Sequence, residues 1–437
     1  MKNLRLLRLL AMLFILSMPL LMNAQFSVNA ELRPRFEYLR GYGKLPVDTM
    51  TDPAILISQR TRLTFNYAKN GFEAKVTLQD WRYWGDETLF SATGAFGDPA
   101  SIELFEGYVA VPLFKISKLY IGRQQLVYDD ERLLAARNWN QGGISYDAVV
   151  WKFKKNSWKI DLAGSWNSDP TYLGGLEYTS AKIRTLNYIW AGKTINDNLT
   201  ASAIIMSVGK TNPDALKVIY MKETFGANLF ANYESFEGQA TAYYQAGLNN
   251  GGKDVSAYFV AILAYYKGKI GKVGGGVNII SGQKGTSTDD SYNDKDHLFD
   301  LFYGARHRYY GYMDYFNNTR NSTAGGGLND IFLQYFPNIG SKHKMEIAYH
   351  YFTNNQEVLD PDAEPGTLTG MDKFLAHELD IVYTYSPFDF LKWDMGFSFL
   401  LPSEPFEKIG GYDPGTTAFA YWPWTMLTFK PALFKSE

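Results

Sequence analysis

Arginine is the side chain in this sequence best placed to do chemistry, because its distribution is one-sided. After residue 24 there are thirteen arginines; ten fall before residue 185 and none lies between 185 and 305. Arg33 and Arg35 stand two apart, as do Arg60 and Arg62. On an extended strand that spacing puts each pair on one face. With neighbouring strands about 4.8 Å apart, the four guanidinium groups would form a single wall. Planar forks of this kind suit carboxylate or phosphate, so such a wall along an aqueous passage would favour anions. Glu31, Glu37, Glu73 and Asp80 lie on the same or adjacent segments. An arginine–acid lattice that only neutralises an interior is therefore the plainer alternative.

A second dense segment, residues 122–149, reads GRQQLVYDDERLLAARNWNQGGISYDAV. It adds Arg123, Arg132 and Arg137 to the candidate pore-lining, anion-binding set, among Asp129, Asp130, Glu131 and Asp147. Such a stretch could be a loop folded inward as a constriction, a calcium-binding acidic cluster, or a solvated surface loop. Leu133, Leu134, Ala135 and Ala136 would be poorly placed in water, which favours the inward loop.

Chemistry of other kinds finds less support. The five histidines (297, 307, 343, 350, 377) form no HExxH motif and no serine–histidine–aspartate arrangement. His377 and Glu378 are adjacent, so on a strand they face opposite sides. Glu378 and Asp380 share a face and, with Glu31, are secondary candidates; a solvated acidic pair is the commoner meaning of such spacing. No catalytic residue, metal ligand set or cofactor is expected. Residues 281–327 interleave Tyr303, Tyr309, Tyr310, Tyr312 and Tyr315 with Asp296, His297, Arg306, His307 and Arg308. Tyrosines so placed serve a sugar-stacking surface or an interfacial aromatic girdle, and the girdle is preferred here.

The elements that must carry these residues are strands. From residue 26 to 38 every even position is apolar (Phe26, Val28, Ala30, Leu32, Pro34, Phe36, Tyr38) and every odd one polar. This is a two-faced strand of membrane-spanning length. The same period recurs at 157–167, 235–246 and 389–400. In all, eighteen strands are expected, starting near 26, 55, 72, 101, 117, 145, 157, 181, 198, 222, 235, 254, 269, 328, 342, 374, 389 and 418. The phase is ambiguous at 117–127, 181–193, 198–208 and 254–266. Short links such as Lys69-Asn70-Gly71 alternate with long ones, including 130–144, 209–221 and 281–327. That alternation predicts an all-β, antiparallel, up-and-down transmembrane barrel with both termini periplasmic. A secreted sandwich or propeller would also show period two, but neither requires the alternation of link lengths.

Lys2, Arg5 and Arg8 precede an apolar run from Leu9 to Met22, which reads as a secretory signal over residues 1–24, with the barrel occupying 25–437. After Met22 no long apolar span remains, which argues against a helical membrane protein. The chain has no cysteine, so a disulfide framework and thiol chemistry are excluded. Without the signal's cations the chain carries 40 basic against 45 acidic residues, and no basic excess points to nucleic acid. Trp424, Met426, Leu427, Phe429, Leu433 and Phe434 form an aromatic-rich final strand of the kind barrel-insertion machinery reads. Eighteen strands leave an aqueous lumen, and strand one begins too early for a separate plug domain.

The segment from Gly122 quoted above, FDLFYGARHRYYGYMDYF from Phe299, GGLNDIFLQYF from Gly326, AHELDIVYTY from Ala376 and GFSFLLPSEPFEKI from Gly396 together resemble the alginate-export outer-membrane proteins, a family of eighteen-stranded barrels. The resemblance covers essentially the whole barrel. It implies an outer-membrane channel that exports an anionic polysaccharide through an arginine-lined constriction, with Arg33, Arg35, Arg60, Arg62 and Arg123 in that role by position. The partners expected are outer-membrane lipids, the insertion machinery, and an anionic oligo- or polysaccharide or other small solute. A non-selective diffusion porin, a glycan-binding adhesin barrel and, more remotely, an outer-membrane enzyme are the other readings.

Overall fold

The computed structural model describes residues 25–47, 52–85, 102–168, 183–212 and 214–436. The expected signal segment, residues 1–24, lies outside them, as do the greater part of the link 85–100 and most of 168–180. The strands are β1 (Gln25–Leu39), β2 (Ala54–Lys69), β3 (Phe72–Tyr83), β4 (Glu103–Phe114), β5 (Ser117–Gln124) and β6 (Tyr146–Lys155). They continue with β7 (Trp158–Trp166), β8 (Ile183–Asn196), β9 (Leu199–Asn212), β10 (Ala215–Asn232), β11 (Phe236–Gly247) and β12 (Ala257–Gly268). The set ends with β13 (Gly271–Ile280), β14 (Leu328–Pro337), β15 (His343–Asn354), β16 (Phe374–Phe388), β17 (Leu391–Pro402) and β18 (Ala420–Phe429).

Each strand pairs antiparallel with the next in sequence, and β1 also pairs with β18 through Leu32↔Phe429, Arg35↔Met426 and Glu37↔Trp424. The result is a closed eighteen-stranded up-and-down barrel. Beyond Pro431 the piece Ala432–Lys435 carries the seam on, pairing Val28 with Phe434. Closure matters because in lipid every backbone N–H and C=O must find an internal partner.

Alternation decides which way each strand faces. In β1, Glu31, Arg33, Arg35 and Glu37 are buried, whereas Phe26, Leu32 and Phe36 stand outward and uncovered. Outward apolar side chains recur around the wall, among them Ile189, Ile205, Leu333 and Phe397, as a lipid-facing surface requires. At the β2–β3 turn Asn70 (φ 53°) and Gly71 (φ 83°) both take the left-handed conformation, the two-residue hairpin that matches the twist of its strands. Gln25 and Ser436 lie at this short-turn end, where Phe26 N donates to Ser436 Oγ at 2.8 Å.

Two expectations about loops are corrected. The link expected over 209–221 is almost absent, since β9 runs to Asn212 and β10 restarts at Ala215, with Ala215 paired to Asn212. Past the hydrocarbon a ladder needs no apolar face, so strands there lose the alternation that reveals them. The tyrosines of 281–327 form neither an exposed sugar surface nor a girdle. Tyr310 and Tyr315 are buried inside the barrel, and Tyr303, Tyr309 and Tyr312 pack against the same interior cluster.

That interior is a genuine apolar core. Leu126, Leu133 and Leu134 come from the β5–β6 loop, and Phe299, Leu301, Met313 and Phe316 from the β13–β14 loop. Val150, Leu186, Met206, Phe259, Phe352 and Trp422 meet them from the wall. The strand alternation thus has exceptions inside, wherever a loop covers the wall.

Candidate functional site

The four arginines of β1 and β2 face the first inward loop. Arg33 and Arg60 are direct cross-strand partners. Arg33 donates through Nε and Nη2 to Gln141 Oε1 (3.0 and 2.8 Å), through Nη1 to the Asn138 carbonyl (2.6 Å) and through Nη2 to that of Asn140 (3.1 Å). Arg60, wholly buried, reaches Glu31 Oε1 from Nε at 2.7 Å and Asn138 Oδ1 from Nη2 at 2.9 Å, with longer contacts to the carbonyls of Asn140 and Gln141. Arg35 donates to Glu37 (2.9 Å) and to the Trp139 carbonyl (3.1 Å), and its guanidinium lies 4.3 Å over the Trp139 ring. Arg62 donates to Gln79 Oε1 (2.6 Å) and the Gly142 carbonyl (3.4 Å). The stretch 138–142 is therefore a hairpin of backbone carbonyls capped by guanidinium groups. Bonds of this charge-assisted kind each contribute about 1.5–3 kcal/mol.

Arg132 and Arg137 join the first loop to the second. Arg132 Nε donates to Asp130 Oδ2 at 2.7 Å, and its guanidinium lies 3.9 Å from the Tyr309 ring centre. Burial works against its charge, but Asp130 and then the phenols of Tyr310 and Tyr309 hold it above the ordinary guanidinium range. Arg137 donates to the carbonyls of Phe302 (2.9 Å), Tyr303 and Gly304 (both 3.1 Å). Burial, and then the charge of Arg306 nearby, push it below that range. Backbone bonds run beside these: Ala305 N to the Glu131 carbonyl (2.8 Å) and Tyr303 N to that of Leu133 (3.3 Å).

The wall from β14 to β16, a few strands from β1 across the seam, holds the second loop by carboxylates. Glu378 accepts from Met313 N at 2.7 Å and Asp380 from Tyr312 N at 3.3 Å. His350 stands between Asp330 (Nδ1, 2.8 Å) and Asp380 (Nε2, 3.8 Å). Glu31, besides Arg60, takes Lys430 at 3.1 Å. These acids anchor backbone and cations.

Arg123 departs from the expected lumen position. Its forked pair with Asp147 (3.1 and 2.9 Å) is exposed and sits by the Leu104 carbonyl, on the same outward face as Ile121 and Val149. Gln124, one residue on, is the buried one, so β5 turns Gln124 and not Arg123 to the lumen.

Two features escaped the sequence reading. Arg306, in the second loop, bonds the carbonyls of Phe302 (2.7 Å) and Asn317; no periodicity marks a loop residue as inward. On the short-turn side of the constriction, a cavity of about 690 Å³ is lined by Lys118, Lys152, Lys154 and Lys159, with Asp129, Asp161 and Trp190. Period two at Lys152, Lys154 and, across the turn, Lys159 is the signal that could have found it. No group of three or more potential metal-ligating side chains occurs among the described residues.

A family model described as alginate export matches residues 24–401. No curated protein matches the sequence. Among solved structures, the chain is similar to OccAB4 of Acinetobacter baumannii, with a TM-score of 0.61, 10% identity, and coverage of 94% of this chain and 98% of that one. It is also similar to OpdO of Pseudomonas aeruginosa (TM-score 0.59, 13% identity, 94% and 98% covered). OprD of the same organism gives a TM-score of 0.58 at 12% identity, covering 94% and 96%. At such identities the likeness shows the barrel fold.

Proposed function

The chain belongs to the alginate export family, and on that premise we propose that it passes anionic saccharides, oligomeric or polymeric, passively through a lumen narrowed by its two inward loops. That it is an outer-membrane channel barrel follows from the family and the fold. The finer reading places the short-turn end, with both termini, in the periplasm, and the long loops outside.

One observation carries the choice of anions. Arg33, Arg62 and Arg137 are held by carbonyl and amide oxygens rather than by carboxylates. Such acceptors fix a guanidinium in place without cancelling its charge, and in a narrow, poorly solvated passage an uncancelled charge acts at full strength. In the short-turn cavity Lys118 and Lys152 are paired with Glu73 and Asp161, which leaves Lys154 and Lys159 to extend the same sign along the wall. Arg35 and Arg60, paired with Glu37 and Glu31, contribute less. A wide unselective pore is the weaker reading, because loop side chains pack across the interior.

The test is the reversal potential of single channels in a salt gradient. Anion selectivity is expected, and clear cation selectivity would sink the reading.

A further inference from the structure

The hairpin of β6 and β7 sets like charges face to face. Lys154 of β6 and Lys159 of β7 are direct cross-strand partners, and two residues back along β6, Lys152 stands opposite Lys118 of β5. All four line the short-turn cavity, on the lumen face that also carries Val150 and Asp161. Like charges directly opposite one another destabilise a sheet, and here only part of the excess is cancelled. Lys118 has Glu73 (2.5 Å) and Lys152 has Asp161 (3.9 Å). Lys154 and Lys159 are exposed, and among the described residues neither is paired with a carboxylate. A pair of ammonium groups without an acid between them is a place prepared for an anion.

Where the cavity is not cationic it is apolar. Phe114, Ile116 and Val127 line it and are exposed, which inside a barrel cannot be credited to lipid. Ile116 is held beside the lysines, its carbonyl accepting from Lys154 N at 2.9 Å. Trp190 borders the cavity with its ring laid along the wall over Gly192, where a Cβ would stand 2.4 Å from the indole. The Nε1 of that ring donates to both oxygens of Asp129 (3.1 and 3.0 Å). Tyr128 donates to Asp161 at 2.6 Å and receives the Tyr188 hydroxyl at 2.9 Å. The acids and phenols at that end are thus engaged with one another, and the ammonium groups remain as the polar atoms turned to a ligand. A sugar ring, with a hydroxyl on nearly every carbon, would leave most of them unmatched against this lining.

We propose that this cavity binds an amphiphilic carboxylate of the benzoate kind, with the carboxylate between Lys154 and Lys159 and the ring against Phe114 and Ile116. The anion turns the repulsion of two ammonium groups into two charge-assisted bonds, and its ring covers apolar surface that water now meets. Ammonium groups are compact charges without a fork, so they read the charge and leave the choice of shape to the apolar side. The volume, about 690 Å³, is within the range of small-molecule sites. This ligand class goes beyond the saccharide reading and does not depend on it.

The test uses the full chain in detergent micelles and the fluorine NMR line of p-fluorobenzoate, with empty micelles as background. The wild type is expected to broaden the line, and benzoate to restore it at a concentration about tenfold or more below that needed of gluconate, an anion of equal charge without an apolar face. Lys154→Gln combined with Lys159→Gln should weaken binding about tenfold or more, and the corresponding pair of Arg substitutions should keep most of it. Phe114→Ser combined with Ile116→Ser should weaken it about fivefold or more while leaving competition by gluconate unchanged. Lys269→Gln, which removes one exposed charge from a different short turn, should match the wild type. All these side chains are exposed or on turns, and heat-modifiable migration on a gel verifies that each variant is a folded barrel. Unchanged binding in the double Gln variant would overturn the proposal. So would gluconate competing as well as benzoate, since the lysines would then add only to a general field. Binding is read here without current, so an anion-selective channel that leaves the line sharp overturns the site alone, and a chain that broadens the line yet selects cations overturns the anion reading of the channel alone.

Discussion

The imidazole of His307 lies flat on the indole of Trp139, ring centres 4.2 Å apart and planes 10° from parallel. The other face of the same indole carries Arg35 from β1, and its edges meet Trp422 and Trp424 from β18. His307 is fixed in turn by Asp314, 2.8 Å from Nδ1. One ring therefore joins both inward loops to the seam of the barrel.

Removing that ring should loosen the constriction while sparing the wall. Trp139→Ala is expected to cost about 3 kcal/mol of loop docking, the low end for a large buried aromatic because Trp139 is only partly buried. Single-channel conductance should rise, with the folded barrel still resisting denaturation in mild detergent. Unchanged conductance would show that the stack does not limit passage.

Arg33 separates anchoring from field. Arg33→Gln should free the carbonyls of Asn138, Trp139 and Asn140 and lower anion selectivity; Arg33→Lys should keep the selectivity but lose the fork that holds the Gln141 side chain. Reversal potentials read the first effect, and protease cleavage within 125–145 reads the second. Equal selectivity in both variants would remove Arg33 from the conducting path.

The second loop depends on a close approach at Gly311. Its φ is +80°, and a Cβ there would stand 2.6 Å from the Glu378 carboxylate. Gly311→Ala should undock residues 309–314 and expose them to protease, through backbone strain and collision together. Adding Glu378→Ala should relieve the collision and restore part of the protection. A single variant as resistant as the wild type would refute the contact.

Acid should release the same loop only at low pH. Burial alone would raise the Asp300 carboxyl, but Lys222 and then Lys210 pull it down to about 2. A carboxyl lowered on folding from its usual value of about 3.9 stabilises above that pH, and the contribution disappears as pH falls toward about 2. Protection of 296–304 should hold at pH 5 and fail between about 4 and 2, with Lys222→Met moving the loss to higher pH. Loss already at pH 5 in the wild type would contradict the pairing.

How much of this was legible depended on whether a residue's neighbours shared its environment. β1 declared itself because lipid lies on one side and polar groups on the other for thirteen consecutive residues, 26–38. β5 did not: Ile121, Gly122 and Arg123 give no clear phase, and Arg123 was assigned inward when it lies outward. Leu133 to Ala136 betrayed the first inward loop by hydrophobicity. The tyrosines of the second did not betray theirs, since an amphipathic ring suits a girdle, a sugar surface and a buried packing position alike. The convergence of Arg137 and Arg306 on Phe302 joins residues far apart in sequence, and nothing local announces it.

The packed interior described above gives this molecule two apolar phases divided by a single layer of strands. Lipid solvates the outer one, while the inner one packs loop against wall, out of lipid's reach. Extraction into detergent, or a change of bilayer composition, acts on the first and has no purchase on the second. The setting of the loops should accordingly survive conditions that strain the wall, so the passage is tuned by what enters it from water and is insulated from the membrane that holds it.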